Sequence, residues 1–228
     1  MAFDAVKVKA QLENAFCNNS EVELLEILKQ NSFLFHSLYD RKFSIQPNFS
    51  EVPFGSKFRC DFCWLNDNSD GPEWVLVEIE KPNMRLFNKS GDPSSELNHA
   101  IEQVTSWDRY FQSYPAEKSR IFGAVNRFRF LLVAGRREYW QAKHAAQWRR
   151  FHNNNSNIEI HSSDVIFDAL GHYSKYKNSF SSFEENPISL KAKELEKNWS
   201  DYPYIGHWRS HHKYSHSCAM AVCQMVAL

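Results

Sequence analysis

The chain has 228 residues, is 43% hydrophobic and 15% aromatic, and carries 18 Phe, enough for one sizeable domain with a buried core. Basic and acidic residues number 27 each, so the formal net charge is zero, which argues against tight nucleic-acid binding by charge alone. No apolar run of about 18 residues exists, and the N-terminus shows neither an apolar signal core nor an Arg-rich transit pattern; a cytoplasmic protein that does not engage a membrane is expected.

In chain order, residues 3–16 and 20–30 read as helices, the second opening with Asn19-Ser20 as cap candidates and acids in its first turn. Phe33, Leu34 and Phe35 read as a buried anchor. Two β-type runs follow, KFRCDFCWL (57–65) and EWVLVEIEK (73–81), separated by the turn-rich NDNSDGP. A turn symmetric about the middle of that segment places Asp61 opposite Glu78 and Arg59 opposite Glu80. Side chains alternate across a strand, so Glu78 and Glu80 share one face while Val75, Val77 and Ile79 take the other with Phe58, Cys60, Phe62 and Trp64. Cys60 and Cys63, as part of a strand, then face opposite sides, which suits neither a redox nor a zinc pair, and five irregularly spaced Cys suit reduced thiols.

LFNKSGDPSS reads as a loop, and Pro93 within it is placed to start a helix running to about Tyr114, with Glu96, His99, Gln103 and Trp107 on one face. RFRFLLVAGRR (127–137) reads as a strand, 138–151 as a helix, 157–161 as a short strand and 165–173 as a helix. Strands alternating with helices predict an α/β (α+β) domain with a mixed sheet. The organisation expected is a helical segment over 1–50, a core over 51–174 and an extension over 175–228. The last of these ends in a tail bearing His207, His211, His212, His216 and Cys218, a spacing that permits zinc but is common in adventitious binding.

Three carboxylates, Asp61, Glu78 and Glu80, thus converge on one strand-pair face, with a Gln-bearing helix next in sequence. Carboxylates side by side repel unless something positive lies between them, and a hard divalent cation such as Mg2+ wants oxygen ligands of this kind. The plainer alternative is that Glu80 pairs with Arg59 and Glu78 faces solvent. Charge is also uneven. Residues 51–80 hold seven acids against Lys57 and Arg59, and residues 118–150 hold nine basic residues against Glu138. An acidic centre bordered by a basic surface is one reading; an ordinary solvated basic face is the other.

Asp61, then Glu78-x-Glu80-Lys81 at a strand end, then Gln103 with Trp107 on the next helix resembles the PD-(D/E)XK nuclease pattern. More narrowly, SEVPFGSKFRCDF (50–62), VLVEIEKP (75–82), LFNKSGDPSSELNHAIEQVTSW (86–107), FLLVAGRR (130–137) and IEIHSSDVIFDAL (158–170) resemble the C-terminal nuclease domain of the Shedu anti-phage defence family. The resemblance implies a restriction-endonuclease-like three-layer sandwich, a central mixed sheet flanked by helices, and an Mg2+-dependent endodeoxyribonuclease, with Mn2+ as an alternative metal. It implies DNA as substrate, and because one neutral protomer offers few phosphate contacts, a homo-oligomer, or else a partner supplying more surface, is expected. It further implies Asp61 and Glu78 as metal ligands, Glu80 as base or extra ligand where relatives keep a catalytic Lys, and Gln103 in support. Glu51, and Glu23 or Glu26, fall near acids of such domains. Lys81 and Lys89 are the candidates to replace the missing Lys, and Arg136, Arg137 and Lys89 are candidates for phosphate contact. His99 and Trp107 are candidate site neighbours, with ordinary core or surface roles as the alternative. The departure at Glu80 leaves a rival reading open: a catalytically silent nuclease-like module for nucleic-acid or protein binding.

Overall fold

The computed structural model of the chain describes residues 3–39, 47–68, 71–123, 125 and 127–195. Helices α1 (Ala5–Cys17) and α2 (Glu21–Gln30) are each capped at the N-terminus, by Asp4 accepting from Lys7 N at 3.0 Å and Ser20 accepting from Glu23 N at 3.2 Å. A 3-10 turn over Ser32–Leu38 follows, carrying the aromatic anchor into the core.

The sheet is built from β1 (Phe49–Phe54), β2 (Phe58–Asn68), β3 (Gly71–Ile79), β4 (Phe128–Val133), β5 (Ile158–His161) and the two-residue β6 (Leu190–Lys191). Its order is β5-β4-β3-β2-β1-β6. β1, β2 and β3 pair antiparallel, whereas β4 and β5 continue from β3 in parallel, so the sheet is mixed. The free side of β5 is closed locally: Asn153 accepts from Ile160 N at 3.0 Å and donates to Ile160 O at 3.2 Å, and Ser156 Oγ accepts from Ile158 N.

Helices cover both faces. On one side α1, α2, the 3-10 turn, α7 (Val165–Lys175) and α8 (Ser181–Glu185) pack against Phe62, Trp64, Val75, Val77, Ile79, Leu131 and Val133. On the other, α3 (Ser95–Ser113), α4 (Pro115–Phe122), α5 (Arg137–Trp140) and α6 (Lys143–Asn155) cover Cys63, Leu65, Trp74, Leu76, Phe130 and Leu132. The fold is therefore an α/β sandwich of three layers around a mixed sheet. Two buried indoles tie elements together, Trp74 Nε1 donating to Phe122 O and Trp140 Nε1 to Ala134 O, both at 2.8 Å, whereas the buried Trp107 Nε1 has no hydrogen-bond partner. No helix among the described residues is long and apolar enough to cross a membrane.

Several expectations change in detail. The β2–β3 hairpin has the expected register, Phe62 opposite Val77 through Asn68 opposite Gly71, but its strands reach much closer to the turn. β1, α4 and β6 were not anticipated, and the helix expected over 138–151 is broken at Gln141-Ala142 into α5 and α6. Strand alternation also fails once. The β1–β2 ladder skips Glu51 and Asp61, and Glu51 sits at φ 53°, a left-handed conformation unusual for a residue with a Cβ. Beyond that break Phe58 and Cys60 join the α3 side, so Cys60 and Cys63 share one core layer instead of facing apart; both are buried free thiols. The His-bearing tail, His207 to Cys218, lies outside the described residues.

Candidate active site

β3 ends where its parallel neighbours end, and its last residues hold the site. Glu78 continues the face of Trp74 and Leu76, which elsewhere is apolar, and this sequence position leaves its carboxyl 8% exposed beneath α3. Gln103, two turns into α3, donates its amide to Glu78 Oε1, while Glu78 Oε2 is buried with no hydrogen-bond partner. Asp61, at the break in the β1–β2 ladder, turns its carboxylate to accept the Ile79 N–H through Oδ2 at 2.8 Å. Glu80 follows β3 directly, its own N–H still bonded to Val133 O at 2.9 Å. The three acids line one open cavity of about 840 Å3, together with Gln103, His99 and Glu21.

The electrostatics follow from burial and crowding. Burial, then the charges of Asp61 and Glu80, push the Glu78 carboxyl up to about 10. Burial raises Asp61 to about 6, with the Ile79 N–H opposing and the Glu21 charge adding to the rise. Glu80 rises to about 7, again through burial and then the Glu21 and Asp61 charges, with Lys81 opposing. Without a cation, these groups therefore hold protons well above the ordinary carboxylate range.

Oxygen ligands, mutual repulsion and the unpartnered Glu78 Oε2 fit a hard cation, with Asp61 and Glu78 the groups that would hold it. A closed cage is not preformed: among the described residues no group of three or more His, Cys, Asp or Glu side chains is arranged to hold a metal ion. Asp61 is partly committed to Ile79 N and Glu78 to Gln103. Mg2+ itself commonly uses one or two carboxylates and completes its shell with water and phosphate oxygens.

Other expected residues fall differently. Arg59 pairs with Glu51 at 3.4 Å, not with Glu80, and Glu51 also meets Lys29 at 3.0 Å. Lys81 is exposed and off the cavity wall, because the chain turns at Pro82 with Met84 N bonded back to Lys81 O. Lys89 is exposed in the loop closed by Asn88 N to Asp92 O and lies off that wall too. Arg136 is engaged by Asp164 at 3.0 Å and lies over the Phe16 ring, so its guanidinium is already occupied. Arg137 pairs with Asp168 beside a different cavity. Trp107 is fully buried, a core residue whose edge reaches the cavity, and His99 is exposed on its rim.

Glu21, the first residue of α2, was not anticipated. Glu23 accepts from Asn14 and Asn18, and Glu26 binds Lys29, and neither lines the cavity. The cap at Ser20 marks where α2 starts, and Asn83, just after β3, donates to Asn19 Oδ1 and Phe16 O, holding that start beside the cavity.

The family model described as "Shedu protein SduA, C-terminal" matches residues 18–167. The chain belongs to the Shedu family. The match spans every carboxylate of the cavity, Glu21, Asp61, Glu78, Glu80 and Glu102, together with Gln103 on α3. No curated protein matches this Shedu chain.

Proposed function

We propose that this Shedu chain is a metal-dependent endonuclease of the PD-(D/E)XK type that hydrolyses DNA phosphodiester bonds in defence against phage. The observation that carries the reading is the buried Glu78–Asp61 pair at the end of β3, with one unpartnered carboxylate oxygen and Gln103 bracing the other. Family membership supports the nuclease class.

Asp61 and Glu78 would hold a divalent ion, and such an ion, when bound, polarises a phosphodiester and lowers the pKa of water. Glu80, half-buried on the same wall, takes the place where a lysine commonly acts, and its elevated pKa suits a group that accepts a proton from water near neutrality. Gln103 fixes the rotamer of Glu78. Glu21 adds a further negative charge at the rim.

The test is cleavage of plasmid and linear DNA with Mg2+ or Mn2+, comparing wild type with Asp61→Ala and Glu78→Ala. Cleavage lost in both variants and in EDTA is the expected result. An inert wild type that still binds DNA or a protein partner as the variants do would favour a silent nuclease-like module. The incomplete protein ligand set at this site is the observation on that side.

A further inference from the structure

A second cavity, of about 520 Å3, opens past the end of β5. Arg137 at the start of α5 and Arg149 on α6 line it, with Gln141, Ser162 and Asp168. Arg149 is half-buried, its guanidinium over the Trp140 ring at 5.1 Å, and Trp140 is itself fixed in the core by its bond to Ala134 O. Burial and the neighbouring Arg137 charge both act against the Arg149 cation. Among the described residues no carboxylate forms an ion pair with Arg149; Asp168, in the same wall, is paired to Arg137. Two guanidiniums and one carboxylate leave net positive charge in the basin, with Arg149 half-buried and without a carboxylate partner while Arg137 and Asp168 stay about half exposed.

We infer that this basin is a phosphate seat, in which the forks of Arg149 and Arg137 grip one phosphate group of a nucleic-acid backbone away from the carboxylate cavity. Arginine forks match phosphate oxygens in two-point contact. Asp168 competes for Arg137, so Arg149 carries most of the contact. The DNA origin of the phosphate rests on the nuclease reading; the seat itself does not. β5 lies two strands from β3, about 10 Å at the usual strand spacing. That span is about three nucleotide steps of 3.4 Å each. A strand of DNA crossing this end of the sheet would meet both the carboxylates and the seat.

The experiment uses the full chain carrying Asp61→Ala, to prevent cutting, with and without Arg149→Gln or Arg149→Lys. Duplex affinity is read by fluorescence anisotropy between about 50 and 200 mM salt. Loss of one phosphate contact should flatten the log–log salt dependence by about 0.9 and weaken binding about eightfold at 0.1 M salt. Arg149→Lys should restore the slope but not the full affinity, because it keeps the charge and loses the fork. Equal melting temperatures for the Gln and Lys variants separate this effect from loss of packing on Trp140. In a parallel arm, inorganic pyrophosphate should raise the melting temperature of the parent and not of the Arg149→Gln protein. Unchanged duplex binding with a lost pyrophosphate response would assign the seat to a free phosphate compound and overturn DNA as its ligand. Unchanged responses in both arms would overturn the seat. A parent that binds no duplex would instead count against the nuclease reading, and the pyrophosphate arm alone would then decide the seat.

Discussion

The Gln103 side-chain amide donates to Glu78 Oε1, tying α3 to the end of β3 and leaving Glu78 Oε2 as the carboxylate oxygen without a partner. Gln103 therefore sets which oxygen is available to a cation. Gln103→Leu, which keeps approximate volume and removes the donor, should weaken metal-supported cleavage about 10- to 100-fold. The midpoint for Mg2+ should move to higher concentration. A fall in rate with the Mg2+ midpoint unmoved would show that the amide matters only for packing.

Stability should depend on pH in a direction opposite to that of an ordinary carboxylate pair. Asp61, Glu78 and Glu80 all have folded pKa values above their usual 3.8 and 4.5, so the folded state binds more protons than the unfolded one in between. Their stabilising protonation is complete below about pH 4 and is lost as pH rises, for Asp61 up to about 6, for Glu80 to about 7 and for Glu78 to about 10. In EDTA the melting temperature should fall between about pH 5 and 9 from these groups. Metal competes with those protons, so the rise in melting temperature on adding Mg2+ should grow with pH. A metal-induced rise that is the same at both ends of the range would contradict the assignment.

Glu78→Gln separates stability from activity. The amide oxygen can still accept from Gln103, and the variant no longer needs a proton to stay neutral in the fold. In EDTA near pH 8 it should be more stable than wild type by about 1–3 kcal/mol, or about 2–4 °C in melting temperature per kcal/mol. The difference should close near pH 4. Cleavage should be abolished at every pH. A variant less stable than wild type at pH 8 would mean that Glu78 is ionised and paired in the free protein.

Gly135 follows β4 at φ 64°, and a Cβ there would lie 2.8 Å from Leu86 Cδ2. Its carbonyl also accepts from Ser163 N at 2.8 Å, joining the loops after β4 and β5. Gly135→Ala should cost about 1–3 kcal/mol in thermal or denaturant unfolding. An unchanged midpoint would show that the loop relaxes freely.

The site was legible where periodicity alone decides position. Alternation along VLVEIEKP put Glu78 and Glu80 together, the turn set the β2–β3 register, and helical spacing put Gln103 beside His99 and Trp107. It was not legible where a distant partner or one unusual dihedral decides. The break at Glu51 has no glycine to announce it, so Phe58 and Cys60 were given the wrong face. β1 contains Pro53, which argues against a strand, and it forms because β2 pairs along it. Arg136 is engaged by Asp164, 28 residues on, a pairing that no local pattern in the sequence announces. Glu21 belongs to the site only because α2 docks there.

The hydrogen bonds of Asn153 to both backbone groups of Ile160 have a consequence for assembly. A side-chain amide mimics the next strand at this rim, and among the described residues the two-residue β6 stands outermost at the opposite rim. Lateral growth of the sheet from one copy into another is thereby opposed at the β5 rim. A strand from a second copy could pair with Ile158–His161 only by displacing that amide.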